Sequence, residues 1–454
     1  MAIRRLVSML GLTVMIVASM FLVQSAAAES KVRIVRLSDV EGAVQIERAP
    51  GEGLEKAFLN LPIVEGSRVK TGSDGRAEIE FEDGSTARLG PESELQFTHL
   101  TLSDNGQKVN GMKLAKGTFY GNFDAKKGDQ YSLNVAQVSL GVPEAAHFRL
   151  TIDTSTDATV AVFKGKVSIG SGTVQAENSS PKLVEVPEKH SAKINLAATD
   201  PAQKDAIVVA KSYDEDPLDG WDRQQNDYHQ RYASTASTSG SGFASPYSYG
   251  LSDLNYYGAF NMIPGYGYAW QPFFANAAWN PFMDGAWAFY PGAGYMWVSG
   301  YPWGWMPYYY GTWAMAPGYG WIWQPGAWNT WNAVPRVANA AAAVVPAAPA
   351  TGHQTVMVGR GLMANAAVLP ERLTIKPGSA GFGVPRGSVN RMAHVSSSMD
   401  RNARPMTVAT ERPLEARPVG FGMEPGFHGS SASLPEATPT THSAPPTPHP
   451  TPHP

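Results

Sequence analysis

The stretch "GRAEIEFEDGSTARLG", residues 75–90, decides how the first half of the chain folds. Ala77, Ile79 and Phe81 alternate with Glu78, Glu80 and Glu82; Asp83-Gly84 interrupts, and Ala87 and Leu89 resume the alternation. A period of two broken by Asp-Gly describes a β-hairpin with one buried side. The apolar side is expected inside and the Glu78, Glu80, Glu82 side in water, because a one-residue slip would carry the glutamates into the core.

Outward from this hairpin the pattern repeats. "TVAVFKGKVSIG" (159–170) sets Val160 and Val162 against Ala161 and Phe163 ahead of a turn at Gly165, and "DQYSLNVAQVSLGV" (129–142) and "HFRLTID" (147–153) add further strands. Helical spacing is not sustained between Lys31 and Leu196. Short strands parted by glycine turns predict an all-β domain over 31–196, a β-sandwich or short β-solenoid, that folds alone with Ile79, Phe81, Leu89, Val160 and Val162 inside. A segment of this length is ample for one core.

Residues 61–93, "LPIVEGSRVKTGSDGRAEIEFEDGSTARLGPES", resemble the signature of the FecR domain, with "EGAVQIER" (41–48) upstream and "LAKGTFYG", "YSLNVAQVSL" and "VAVFKGKVSI" following in the family's order. The resemblance covers about residues 35–170. It implies a domain outside the inner membrane, of the kind found in regulators that relay envelope signals to a sigma factor. Five residues precede the apolar run at the N-terminus, so a cytoplasmic anti-sigma segment is not expected.

That run, Leu6 to Val23, follows Arg4 and Arg5 and ends in "QSAAAES". Basic, apolar and small-residue regions in this order describe a secretory signal peptide over 1–28, cleaved between Ala28 and Glu29. No stable membrane span is expected after cleavage, and the mature protein is expected in the periplasm or at the cell surface. There is no Cys, which excludes a lipobox anchor, disulfides and a thiol nucleophile. Charge then divides the chain. Residues 29–232 carry 24 Lys and Arg against 31 Asp and Glu, 233–335 carry only Asp253 and Asp284, and 336–454 are net basic. An exported chain with an acidic folded part is a poor partner for nucleic acid.

Between the domain and the uncharged segment lies a linker, 197–246, with a short helix expected at about 217–233, where Asp219 or Asp222 is placed to cap it. Residues 247–335 are a repeat: "GAFNMIPGYGYAW" (258–270), "GAWAFYPGAGYMW" (285–297) and "GTWAMAPGYGWIW" (311–323). Self-similarity at this period marks stacked units, and Pro-Gly-x-Gly makes each a hairpin. The combination resembles exported bacterial proteins that join a FecR-like domain to Trp/Tyr-Pro-Gly repeats. Trp287, Trp297, Trp313 and Trp323 hold equivalent positions and are expected to be buried between adjacent hairpins. Trp303, Trp305, Tyr308, Tyr309 and Tyr310 fall in "YPWGWMPYYYGTW" (301–313), between copies, where no alternation constrains them. They are expected to be at least partly exposed, as contacts for envelope polysaccharide, peptidoglycan or an envelope protein.

The tail, 336–454, is rich in Ala, Pro, Ser, Thr and Arg and is expected to be disordered. Its His442, His449 and His453 lack the companions a metal site needs. No catalytic or phosphate-binding motif occurs, so no enzyme activity, cofactor or metal is expected. Three functions follow: a non-enzymatic envelope module binding through its aromatic repeat, a periplasmic FecR-type sensor or regulator, or a self-associating structural surface protein. The sequence sets no oligomeric state.

Overall fold

The computed structural model describes residues 33–126, 128–171, 183–198, 206–233, 245, 247–272, 279–326, 328, 331–338 and 345–358. The signal segment with Ala28 and Glu29, and the chain beyond Val358, lie outside the described residues. Among the described residues no helix is long and apolar enough to cross a membrane.

The first half is two β-layers joined by one strand. One layer runs in the order Glu55–Lys56, Val44–Glu47, Arg68–Thr71, Glu94–Leu102, the first half of Lys108–Phe123, Gln130–Val135, Val138–Val142, Lys166–Ser171 and Val184–Pro187. The other runs Pro62–Ile63, Val35–Glu41, Arg76–Glu80, Thr86–Leu89, the second half of Lys108–Phe123, Ala146–Ile152, Asp157–Lys164, Ser191–Asn195 and Ile207–Ala210. The shared strand changes layer at Gly117, whose φ is +88° and where an added Cβ would lie 2.2 Å from Ser93 Oγ. Both layers contribute to one core, in which Ile79, Phe81, Leu89, Val160 and Val162 are all fully buried. Phe81 packs edge-on to Phe123 and Tyr131.

The second half folds over this sandwich. Helix α1, Asp219–Ala233, lies on the outer face of the second layer; helix α2, Leu251–Tyr257, precedes the first hairpin, and the single turn α3, Met306–Tyr309, lies between the second and third. The three aromatic copies form the hairpins Gly258–Pro272, Gly285–Ser299 and Thr312–Gln324. Both glycines of each Pro-Gly-x-Gly turn have φ between +73° and +80°, the conformation that motif was expected to supply.

The hairpins do not stack in chain order. The first and third join in one sheet, with Trp270 opposite Trp323, while the second forms a separate sheet with Val356–Val358. Gln271 Nε2 donates to Tyr319 O at 2.6 Å and Gln324 Nε2 to Tyr266 O at 2.7 Å, a reciprocal pair that gives the two hairpins local two-fold character. The second copy has Val298 where the others have glutamine, and that valine is fully buried in the sandwich core together with Ala286, Ala288, Tyr290 and Met296. The sandwich therefore does not complete its core alone: the small-residue face of the second hairpin completes it.

The chain past residue 336 is also partly built in. Val337–Ala338 pairs with the third hairpin and Val356–Val358 with the second, where the sequence predicts a tail without structure.

Candidate functional site

Two expectations about exposure are overturned, and each correction identifies what the molecule is built around. The first concerns Glu78, Glu80 and Glu82, which are 0%, 1% and 7% exposed rather than wet. The strand that carries Glu78 and Glu80 lies between Val35–Glu41 and Thr86–Leu89, with Glu80 opposite Arg36 and Glu78 opposite Arg88, while Glu82 follows the strand and accepts from Arg33 Nε at 2.8 Å. From Arg88 the row continues to Tyr120 and then Arg149. A charged row thus crosses the outer face of the second layer, acidic at Asp39 and Glu78 and basic at Arg88 and, beyond Tyr120, Arg149, with the Arg36–Glu80 pair beside it.

Helix α1 closes over that row. Arg88 Nη1 lies 2.7 Å from Asp222 Oδ1 while its Nε lies 2.8 Å from Glu78 Oε2. Arg149 Nη1 is held by both oxygens of Asp219 at 2.6 Å, and Tyr120 Oη donates to the same carboxylate at 2.9 Å. His147 Nε2 meets Asp222 Oδ2 at 2.6 Å and His229 Nε2 meets Glu78 Oε1 at 2.9 Å. Asp219 and Asp222, expected at the helix cap, are therefore turned onto the sheet. Burial acts to raise the Asp222 carboxyl, but Arg88 and His147 outweigh it and hold the group below its ordinary value. Burial likewise acts to lower Arg88, and Glu78 and Asp222 reverse the sign. Glu80 goes the other way: burial pushes it up despite His229 and Arg36.

Arg36 ties the third element in. Its guanidinium contacts Asn60 Oδ1 at 2.9 Å, Glu80 Oε2 at 3.1 Å, Asp253 Oδ2 on α2 at 2.6 Å and Pro302 O at 2.8 Å. Buried pairs of this kind contribute little net stability over an apolar core, but removing one partner is costly because a charge is left uncompensated. They fix where one body sits on another.

The second correction concerns the rings between copies. Trp303, Trp305, Tyr308, Tyr309 and Tyr310 are 1%, 0%, 1%, 0% and 4% exposed, as buried as Trp287, Trp297, Trp313 and Trp323. The connection folds back on the sandwich instead of projecting. Asn60 Nδ2 donates to Ser299 O and Tyr301 O, and Gly304 is packed so closely that a Cβ would lie 2.6 Å from Tyr301 O. Tyr301 stacks on Trp303 at 4.8 Å, Tyr309 on Trp331 at 4.4 Å, and Trp305 meets Tyr249 edge-on at 5.2 Å. Tyr308 Oη donates to Pro281 O at 2.6 Å and Tyr310 Oη lies 2.6 Å from Tyr249 Oη. Burial raises the phenols of all three tyrosines. None of the five rings offers a face to a ligand. Among the described residues no group of His, Asp and Glu side chains is arranged to hold a metal ion.

The architecture is that of an all-β sandwich with an ion-paired outer face, sealed by a helix and an aromatic hairpin module. Residues 67–168 match the family described as FecR protein, so the sandwich carries a FecR domain. Residues 251–351 match a family of unknown function, DUF6600, which spans the three hairpins and the chain just after them. No curated protein matches the sequence. Two crystal structures of a candidate anti-sigma factor from Parabacteroides distasonis ATCC 8503 are similar in part. One is 14% identical, with a TM-score of 0.26, and the match covers 34% of this chain and 63% of that one. The other is 13% identical at a TM-score of 0.25, covering 37% and 70%. Such scores do not amount to a shared overall fold.

The charged row was missed although part of its signal is in the sequence. A hairpin closed at Asp83-Gly84 sets Glu78 across from Arg88, an opposite-charge pair on the side assumed wet. The acidic face of α1 has no such local clue.

Proposed function

We propose that the protein is a non-enzymatic, exported FecR-type sensor or regulator of the cell envelope that works through contacts with other proteins. The observation that carries this reading is the FecR domain itself, with a charged outer face engaged in residue-by-residue recognition of α1. Those guanidinium and carboxylate groups are paired within the chain and fix α1 on the sandwich, so a partner protein would meet the face that α1 and the hairpins present rather than the charged row itself. Binding of polysaccharide or peptidoglycan through Trp303, Trp305 and Tyr308–Tyr310 loses its support, since those rings are interior.

The test compares transcript profiles of a deletion strain complemented with the wild-type gene or with Arg88→Met. A defined set of genes should respond to the deletion, be restored by wild type, and not by the variant at equal protein level. Unchanged transcripts, together with sedimentation of the purified mature protein by isolated peptidoglycan, would reverse the reading in favour of cell-wall attachment.

A further inference from the structure

Two imidazoles stand on opposite sides of the contact between α1 and the second layer, and each reaches across it. His147, on the sheet, meets Asp222 of the helix at 2.6 Å; His229, on the helix, meets Glu78 of the sheet at 2.9 Å. The imidazole side chains are 16% and 12% exposed, enough to exchange protons with water, whereas the acids they meet are 1% and 0% exposed. His229 has oxygen at both nitrogens, since its Nδ1 lies 3.1 Å from Ser252 Oγ on α2 and 3.7 Å from Glu80 Oε1. An imidazolium donates at both positions, a neutral ring at one.

Without these two rings the charge at the contact is out of balance. Among the described residues it buries six carboxylates: Asp39, Glu78 and Glu80 on the sheet, Asp219 and Asp222 on α1, and Asp253 on α2. Three guanidiniums face them, Arg36, Arg88 and Arg149, while the nearby Arg33–Glu82 pair is matched within itself. Charged imidazoles raise the cations to five, and burial pushes up the carboxyl of Glu80, which lowers the acid side. No other charge around the rings makes up the deficit. Lys164 is opposite His147 in the strand pair but exposed, and the Phe163 ring lies edge-on to that imidazole at 4.8 Å. Around His229, Arg36 is shared between Glu80 and Asp253, and Arg88 between Glu78 and Asp222. A buried carboxylate that loses its cation is costly.

We infer that α1 is a proton-controlled seal on the charged row, seated while His147 and His229 are charged and released as they deprotonate. The seated form binds more protons than the released one, so seating weakens as pH rises, and imidazole is the side chain that changes charge between about pH 5 and 8. Release would uncover Arg88, Arg149 and the acids between them, a surface that the seated helix keeps from any partner. Protons would then be the signal of the sensor proposed above, a role that rests on that reading. Movement of α1 is a property of the purified protein and is tested there.

Hydrogen exchange on the full chain at about pH 6 and about pH 8.5 brackets the imidazole range. Each rate is referred to the intrinsic exchange rate at that pH. Protection over Asp219–Ala233 should fall about tenfold or more with the rise in pH, because each proton released on opening shifts the equilibrium by up to about tenfold per pH unit. Val138–Val142, in the other layer, should keep its protection. In His147→Gln/His229→Gln, neutral at every pH, α1 should be poorly protected throughout, with less than about a twofold difference between the two conditions. Each single variant should keep part of the fall. Wild-type α1 protection that ignores pH, a fall shared equally by Val138–Val142, or a full wild-type fall in the double and single variants would each overturn the inference. A fall confined to α1, with transcripts unchanged by deletion of the gene, would uphold the seal and remove its sensing role.

Discussion

Trp270 stands directly opposite Trp323 in the ladder that joins the first hairpin to the third. The two residues occupy the same place in their copies, and each is followed by the glutamine that reaches across to the other copy's turn. Pairing between copies is therefore decided one residue after the tryptophan, where the middle copy has Val298.

This arrangement predicts that Gln324→Ala destabilises by ~1 kcal/mol, the ordinary contribution of an amide hydrogen bond, and Gln271→Ala by somewhat more, because buried Gln271 Nε2 also donates to Trp321 O at 3.2 Å. Urea unfolding followed by tryptophan fluorescence measures both. A large inequality would show that the two-fold relationship is geometric only.

Truncating a ring between copies should now behave like truncating a core ring. Trp305→Ala is expected to cost ~3–5 kcal/mol, as for Trp297→Ala, because Trp305 is fully buried against Tyr249 and Tyr309. Thermal unfolding of the two variants side by side decides this; a Trp305→Ala protein as stable as wild type would contradict the packing.

Removing Arg88 leaves Glu78 and Asp222 facing each other without their shared cation. Arg88→Met is expected to cost ~3–5 kcal/mol, the range for breaking a buried pair. Limited proteolysis should show α1 cleaved before the sandwich. The double variant Arg88→Met/Asp222→Asn should recover part of the loss.

Acid should loosen the same contact. Asp222 is held below its ordinary value, so between its folded value and about 3.9, the usual aspartate figure, the unfolded chain binds the extra proton. Its stabilising contribution is thus present above about pH 3.9 and is lost as pH falls through the folded value. Glu80 is pushed up by burial and has the opposite sign, weakening the fold as pH rises above about 4.3. Urea midpoints between pH 3 and 6 should fall steeply on the acid side in wild type and more gently in Asp222→Asn. Identical slopes would remove Asp222 from the acid transition.

Much of the fold was legible because it is local. Alternation over Ala77–Phe81 and Thr159–Val162, the Asp83-Gly84 turn and the Pro-Gly-x-Gly turns are short-range consequences of strand geometry and of glycine's access to positive φ. They determine strands, hairpins and the inward set Ile79, Phe81, Leu89, Val160 and Val162 without reference to anything distant. The resemblance of residues 61–93 to the FecR signature belongs with these, since it is carried by the same turns and strands.

What covers the opposite faces was decided by tertiary structure alone. Alternation says that Glu78 and Ile79 point to different sides; it cannot say whether the second side meets water or another element. Here it meets Arg36 and Arg88 from neighbouring strands and the acids of α1, over a hundred residues away in sequence. Likewise no period constrains Trp303 and Trp305, and their burial depends on Asn60 and Arg36 holding the 299–302 backbone against the sandwich. A sequence carries the period of each element, whereas the partner of each face is a property of the assembled whole.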